Sequence, residues 1–154
     1  MAHFAQIDPK NNTVINVIVV SNEECTDAEG NETEAQGILY LRSIFGDNTH
    51  WLKTSINNSI RTRYASIGYT YRVEEDAFVR PCPFPSWVYN PDTRDWKAPV
   101  AYPQDGKNAD GKIIKRYDWN EESQSWFYVF DLSEKDILRQ ANIGSIDYQF
   151  LTRI

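Results

Sequence analysis

The sequence has little of what catalytic and metal-binding sites need. It contains two histidines, His3 and His50, and neither has a cysteine or carboxylate at ligand spacing. A zinc site needs several nitrogen or sulfur ligands close together. The two cysteines, Cys25 and Cys82, allow one disulfide at most, and we expect two free thiols in a reducing compartment. Since the chain also lacks a glycine-rich phosphate loop and a nucleophile elbow, we expect no catalytic, cofactor-binding or metal-binding residue and no enzymatic activity.

Positive charge is also scarce. The chain has 16 basic and 22 acidic residues, a net charge of −6, and no basic block that could follow a phosphate backbone. The longest apolar run, Val14–Val20, is interrupted by Asn16 and is too short to span a bilayer. The segment from Met1 to Asp8 lacks the basic and apolar regions of a secretion signal. We therefore expect a chain made in a cytoplasm, with neither nucleic acid nor a membrane as its partner.

Aromatic residues, by contrast, are abundant. Five tryptophans, nine tyrosines and seven phenylalanines make up 14% of the chain. Nine of them form three sets in which two aromatics in alternate positions are followed by a third seven residues later: Tyr69, Tyr71 and Phe78; Trp87, Tyr89 and Trp96; Tyr117, Trp119 and Trp126. The segments between them, 72–75, 90–93 and 120–123, are typical of turns. The pattern predicts three hairpins in which the first aromatic of each set faces the last, unless a bulge shifts the register.

The first 80 residues have the pattern of a small α+β unit. We expect strands at 4–7, 13–20, 51–56 and 60–65, because β-branched and aromatic residues cluster there between turn residues. A helix is expected after the acidic loop 21–30, capped by Asn31 or Thr33 and stopped by Gly46. The predicted fold is α+β and mainly antiparallel β: one helix on a small sheet, followed by aromatic β-hairpins and a C-terminal arm.

Three regions are predicted along the chain: an α+β head at 1–80, a proline-rich segment with β-hairpins at 81–130, and a C-terminal arm with a short helix at 131–154. Two Asp-Gly-Lys segments, at 105–107 and 110–112, are interpreted as a surface insertion. In the arm, Ser133 and Asp136 can cap the short helix. An extended tail that cannot bury itself alone carries the apolar residues that follow: Ile146, Tyr148, Phe150 and Leu151.

Several segments, in order, resemble a family of small virion structural proteins of marine tailed phages, cyanophages among them. The resemblance covers roughly residues 1–128 and rests on these segments: Met1-Ala-His-Phe-Ala-Gln-Ile-Asp8, Val17-Ile-Val-Val20, Phe45-Gly46, Trp51 to Tyr71 with its Ile67-Gly68-Tyr69-Thr-Tyr71 end, Asp76-Ala-Phe78, Pro83-Phe84-Pro85-Ser86-Trp87 and Tyr117-Asp-Trp119. It implies a virion component made in the host bacterial cytoplasm and supplies no catalytic residues. The doubled Asp-Gly-Lys loop and the arm after Phe130 depart from the family pattern.

The leading hypothesis from the sequence is a non-enzymatic capsid decoration or cement protein that contacts shell subunits. Its partners would be other virion proteins, either the major capsid protein or tail proteins, and self-association is left open. Aromatic and apolar residues supply most of the energy of such contacts. The predicted interface residues are Trp87, Tyr89, Trp96, Trp119, Trp126, Ile146, Tyr148, Phe150 and Leu151. One alternative is a tail component, such as an adaptor, baseplate or fibre-attachment protein. Another is a host-glycan-binding module, in which exposed tryptophans would stack on sugar rings.

Overall fold

The computed structural model describes residues 1–143, which divide into two compact units. Unit 1 comprises Met1–Pro81 and Pro91–Asp95. Unit 2 comprises Cys82–Asn90 and the described residues from Trp96 onward. The predicted fold class is confirmed: one antiparallel sheet carries one helix, and two aromatic hairpins follow it. Within residues 1–143, no helix combines the length and apolar character needed to cross a membrane.

Unit 1 is built on a five-stranded antiparallel sheet. Its strands are β1 (Ala2–Asp8), β2 (Thr13–Val20), β3 (His50–Thr54), β4 (Thr70–Arg72) and β5 (Ala77–Val79). They lie in the order β3-β1-β2-β4-β5. Side chains alternate between the two faces of a strand. Accordingly, Phe4 and Ala5 of β1 enter two different buried clusters, the first shared with Leu41 and Trp51 and the second with Phe78.

The helix α1 (Glu34–Phe45) begins and ends where the sequence predicts. Thr33 is its N-cap, and its hydroxyl accepts a hydrogen bond of 3.2 Å from the backbone N–H of Gln36. Gly46 follows its last residue. Cys25, in a 3-10 turn before the helix, is fully buried in the cluster around Phe4. The acidic loop predicted at 21–30 is therefore not fully solvated, since its Cys25 side chain packs beneath the helix.

The strand predicted at 60–65 does not form; residues 55–69 are a loop. Arg61 and Thr62 both have a left-handed backbone, with φ angles of 51° and 72°, which breaks the extended conformation. Hydrogen bonds to side chains fix the loop, instead of the backbone hydrogen bonds of a sheet. Asn58 accepts a 2.7 Å hydrogen bond from the Tyr64 N–H, and Thr54 accepts one of 2.8 Å from the Ala65 N–H.

Unit 2 contains the aromatic hairpins. The strands β6 (Val88–Asn90) and β7 (Asp95–Lys97) form one, with Asp95 itself assigned to unit 1, and β8 (Lys115–Asn120) and β9 (Ser125–Asp131) form the other. The helix α2 (Glu134–Ile143) follows, and its start is as predicted, because Ser133 accepts a 3.3 Å hydrogen bond from the Asp136 N–H. The tail residues predicted as an interface lie outside the described residues: Ile146, Tyr148, Phe150 and Leu151.

The register predicted for the aromatic sets is wrong by two residues. The second aromatic of each set, not the first, meets the last: Tyr71 with Phe78, Tyr89 with Trp96 and Trp119 with Trp126. Each turn lies one residue later than predicted, at 73–76, 91–94 and 121–124. The physical reason is a left-handed fourth turn residue, Asp76, Arg94 and Gln124 in turn, with φ angles of 44°, 52° and 48°.

The segment with two Asp-Gly-Lys motifs is not a mere surface insertion. Its Gly106 is buried, and a Cβ at this position would come within 2.8 Å of the Tyr102 ring and 3.2 Å of the Tyr117 ring. Residues 103–114 also repeat the backbone of residues 22–33 in unit 1. Each loop has a 3-10 turn, an isolated bridge (Thr26 with Glu32, Lys107 with Ile113) and a glycine of positive φ. The sequence signal is a shared Asp/Asn-Ala-acidic-Gly pattern at 27–30 and 108–111.

Candidate functional site

The aromatic residues predicted as an interface within 81–130 pack against one another in unit 2. Trp87 and Trp119 are buried, with ring centroids 6.1 Å apart and nearly perpendicular planes. Trp126 lies 5.9 Å from Trp87 and 5.2 Å from Trp119. Tyr89 and Trp96 contact each other edge-on at 5.6 Å. Edge-to-face contacts of this kind each contribute about 0.5–1.5 kcal/mol beyond the burial of area. These rings therefore stabilise the unit, and little of Trp87 or Trp119 is left for a partner.

Glu121, the first residue of the β8–β9 turn, fixes Trp119 and the chain before β6. Its carboxylate accepts hydrogen bonds from the Ser86 N–H at 2.9 Å, the Ser86 hydroxyl at 2.7 Å and the Trp119 indole at 2.8 Å. The bonds from Ser86 first, and from Trp119 second, lower the pKa of this carboxyl group. Three donors favour the charged form of a carboxylate. The hairpin is thereby tied to the segment that carries Trp87.

The strand β9 is held in place at both ends. Near its start, the Trp126 indole donates a 2.9 Å hydrogen bond to the Val100 carbonyl. Just after its end, the Leu132 N–H donates a 2.8 Å hydrogen bond to the Ile114 carbonyl, and the Leu132 side chain is buried against Ile113. The segment predicted as an arm from residue 131 thus contributes Leu132 to a buried cluster. These two hydrogen bonds are the anchors of β9, and they fix the backbone of the residues between them.

Between the anchors, four successive large apolar side chains face solvent. Phe127 is 49% exposed, Tyr128 54%, Val129 38% and Phe130 40%. We call these four residues the β9 surface. The pairing of β9 with β8 shifts between Arg116 and Tyr117, which leaves Val129 as an extra, bulged residue. The spacing of the aromatic sets does not mark this surface, but the uninterrupted apolar run from Trp126 to Phe130 is a sequence signal for it.

The outer backbone edges of β3 in unit 1 and of β9 in unit 2 differ in whether side chains hydrogen-bond to them. At the edge strand β3 of unit 1, the Lys53 N–H donates to the Glu34 carboxylate at 2.7 Å, and its carbonyl accepts from Arg61 at 2.6 Å. Arg61 and Glu34 also form an ion pair of 2.9 Å, so this edge is capped by side chains. On β9, in contrast, no side chain among residues 1–143 hydrogen-bonds to the backbone of Phe127 to Phe130, and no charged residue occurs before Asp131.

The charges beside β9 are paired along β8. Asp118 holds the Arg116 guanidinium at 2.9 Å, and this group lies 5.5 Å above the Phe130 ring. Asp105 accepts from Lys115 at 2.9 Å and from the Tyr117 hydroxyl. The bond from Lys115 first, and from Tyr117 second, lowers the pKa of Asp105. Because these charges are matched within the hairpin region, the β9 surface remains apolar in character.

Neither histidine takes part in a candidate metal site. His3 lies in β1, edge-on to the Tyr64 ring at 5.6 Å, and His50 is exposed at the start of β3. In the part of the chain that the structure describes, no three histidine, cysteine, aspartate or glutamate side chains are grouped closely enough to hold a metal ion. Cys25 and Cys82 are free thiols.

The arrangement is suited to contact between surfaces. The β9 surface combines exposed aromatic side chains with a fixed strand, and its backbone edge carries no side-chain hydrogen bonds from Phe127 to Phe130. Exposed aromatic residues are typical of the centre of an interface, and an open backbone edge is what a partner needs to bind by adding a strand. No protein-family model, no curated protein and no solved structure matches the chain.

Proposed function

We propose that this chain is a non-enzymatic structural protein of a tailed bacteriophage particle, a capsid decoration or cement protein that works by contacting other virion proteins. The observation that carries the proposal is the β9 surface, where Phe127, Tyr128, Val129 and Phe130 are all between 38% and 54% exposed. With aromatic side chains of about 150–250 Å² each, roughly half exposed, the three rings and Val129 together expose roughly 400 Å² of side chain, on the two faces that adjoin the outer edge of β9. Several large apolar side chains exposed next to one another on a soluble protein are characteristic of a contact site.

The resemblance to small virion proteins of marine tailed phages supports the same proposal. It covers the residues that build both units, including the Trp51–Tyr71 region of unit 1 and the Ser86, Trp87 and Trp119 positions of unit 2. A negative chain with paired surface charges is also unsuited to packaging nucleic acid, and so fits the outside of a particle better than its interior.

A glycan-binding module is less well supported by the geometry. Stacking on a sugar ring needs an aromatic face open to solvent. Trp87 and Trp119 are buried, and the ring of Trp126 packs between them and Tyr102. Among the described rings of unit 2, the most exposed are Phe127, Tyr128 and Phe130, of which only Tyr128 carries a polar group. We therefore do not propose glycan recognition.

The experiment that tests the function is quantitative mass spectrometry of purified virions of the phage that encodes the chain. The measured quantity is the copy ratio of this chain to the major capsid protein. A ratio near one, or a simple fraction set by an icosahedral lattice, is expected for a shell decoration. A ratio that yields only one or a few rings per particle would place the chain in the tail, as an adaptor, baseplate or fibre-attachment protein. Absence from the virion would overturn the proposal.

A further inference from the structure

We propose that the partner of the β9 surface is a second copy of this chain, with β9 of one copy lying antiparallel to β9 of the other. The inference rests on the proposed function only in treating this surface as a contact site between virion proteins. It adds the identity of the partner: copies of the chain would link to one another, and a four-stranded sheet β8-β9-β9-β8 would join each pair.

The outer edge of β9 is open to a further strand. A two-stranded hairpin has two free edges and gains stability when further strands are added. Natural proteins block exposed edges with charges, prolines or covering groups. The molecule does this at β3, where Glu34 and Arg61 take both outward backbone groups of Lys53. No side chain among residues 1–143 hydrogen-bonds to the backbone of Phe127 to Phe130 in this way, although these four positions are the most apolar run of any strand in unit 2.

The charges of β9 allow the strand to pair with a second copy of itself. From Ser125 to Phe130, β9 contains no charged residue, and its single charge is Asp131 at the end. If two copies pair antiparallel about a two-fold axis at any residue from Phe127 to Phe130, Asp131 faces Ser123, Ser125 or an apolar residue of the other copy. Like charges are therefore never opposed, so the strand is compatible with itself. The bulge at Val129 limits the regular part of the pairing to the residues on its N-terminal side.

The size of the exposed area sets the strength of the contact. Complete burial of the roughly 400 Å² of side chain exposed on each copy would give at most about 800 Å² in total, before the strand backbones are counted. Stable interfaces bury about 1,200–2,000 Å². We therefore expect a weak dimer in solution, with a dissociation constant of about 1–100 µM, which the high local concentration on a particle would strengthen. Since each copy carries a net charge of −6, added salt should screen the repulsion and tighten the dimer.

The test is sedimentation velocity of the full chain over a range of concentrations, at low and at moderate salt. The wild-type chain is expected to pass from monomer to dimer. Val129→Lys introduces a charge directly beside the paired residues and should raise the dissociation constant at least about tenfold. Val73→Lys is the matched control, because Val73 is also exposed but lies in a turn of unit 1, and it should leave the dimer unchanged.

A second measurement places the contact on β9. Amide hydrogen exchange of a peptide covering 125–131 should slow as the wild-type concentration rises, and should not slow in Val129→Lys. A full chain that stays monomeric at every concentration would overturn the inference, and so would a dimer that Val129→Lys does not weaken. If the full chain is monomeric but a chain ending at Ile143 dimerises, residues 144–154 of the same copy cover β9, and the second copy is not its partner. None of these results depends on the virion ratio, so the failure of this inference and that of the proposed function can be told apart.

Discussion

At the scale of single residues, Gly37 sets how closely α1 approaches the sheet. A Cβ at this position would lie 2.3 Å from Cζ of Phe4 and 3.1 Å from the Cys25 sulfur, and both neighbours are fully buried. We expect Gly37→Ala to destabilise the protein by about 1–3 kcal/mol through overpacking, although alanine is the better helix former by about 1 kcal/mol. The measurement is the urea midpoint followed by far-UV circular dichroism.

Ser43→Ala is the control for this prediction, because Ser43 lies on the same helix but is exposed. It should change the free energy of unfolding by less than about 0.5 kcal/mol. A Gly37→Ala protein as stable as the wild type would mean that Phe4 can move aside, and that the close approach of α1 to β1 does not depend on glycine.

Glu121 gives a prediction with a definite pH dependence. Its pKa is lowered in the folded state, from an ordinary value of 4.5, by hydrogen bonds from Ser86 and Trp119. A group with a depressed folded pKa stabilises the fold above its unfolded pKa, and that contribution is lost as the pH falls through the folded pKa. Glu121→Gln should therefore lower the urea midpoint near neutral pH, while well below pH 4.5 its curve and that of the wild type should converge.

Tryptophan fluorescence is the suitable probe for Glu121→Gln, since four of the five tryptophans lie in unit 2. Glu122→Gln is the matched control, because Glu122 is the exposed neighbour in the same turn. A loss of stability of the same size at both pH values would show that the substitution acts through shape alone and not through the charge.

At the scale of elements, the hairpins β1–β2, β4–β5, β6–β7 and β8–β9 have the same type of turn. In each of them four residues connect the two strands, and the fourth has a left-handed backbone: Asn12, Asp76, Arg94 and Gln124. None of these is glycine, although a left-handed conformation costs an ordinary residue about 1–2 kcal/mol. Where the side chain makes no stabilising contact, glycine at this position should give a more stable protein. We therefore expect Gln124→Gly to raise the free energy of unfolding by about 0.5–1 kcal/mol after the greater freedom of glycine in the unfolded chain is counted.

Asp76→Gly, at the equivalent position of the β4–β5 turn, should have the opposite effect. The Asp76 carboxylate pairs with Arg61 at 2.8 Å and accepts a 2.7 Å hydrogen bond from the Tyr71 hydroxyl, and glycine removes both. Chemical denaturation of the two variants checks the pair of predictions. Equal shifts in both would show that backbone strain, and not the side-chain contacts, decides the stability at these turns.

The same turns explain what the sequence could and could not predict. Helix α1 and strands β1 and β2 follow from capping residues and apolar periodicity, which act over a few neighbouring positions. The register of the hairpins depends on the fourth turn residue, and no glycine marked it. The loop at 55–69 likewise contains strand-forming residues, but Arg61 and Thr62 adopt a left-handed backbone there, and the Arg61 side chain is held by Glu34 and Asp76. Contacts between residues distant in sequence set these features.

At the scale of the whole molecule, the same limit applies to the candidate site. The abundance of aromatic residues predicts both a core and an interface, but it does not say which ring serves which purpose. That division is decided by the tertiary structure: Trp87 and Trp119 are buried, Trp126 is partly buried against them, and the rings of Phe127, Tyr128 and Phe130 are left more exposed. Tryptophan, tyrosine and phenylalanine are all common in interfaces, so the residue type alone does not predict which of them is exposed.

The two units have separate cores, which leads to a prediction about the molecule as a whole. The clusters around Phe4 and Phe78 lie in unit 1, and those around Trp119 and Leu132 in unit 2. Trp119→Ala should cost about 3–5 kcal/mol and open unit 2. We expect amide hydrogen exchange to accelerate in β8 and β9, while amides of β1 and β3 keep their protection, because stability can differ between parts of one chain.

Trp51→Ala is the reciprocal variant, since Trp51 is buried in the cluster of unit 1 that includes Phe4. It should accelerate exchange in β1 and β3 and spare β8 and β9. Equal acceleration in both units, in either variant, would mean that the chain unfolds as one cooperative body and that separate cores do not give separate stabilities. If hydrogen exchange follows this pattern, the strands that carry the β9 surface are stabilised by unit 2 itself. A contact made at the β9 surface can then be weakened or strengthened without altering the sheet of unit 1.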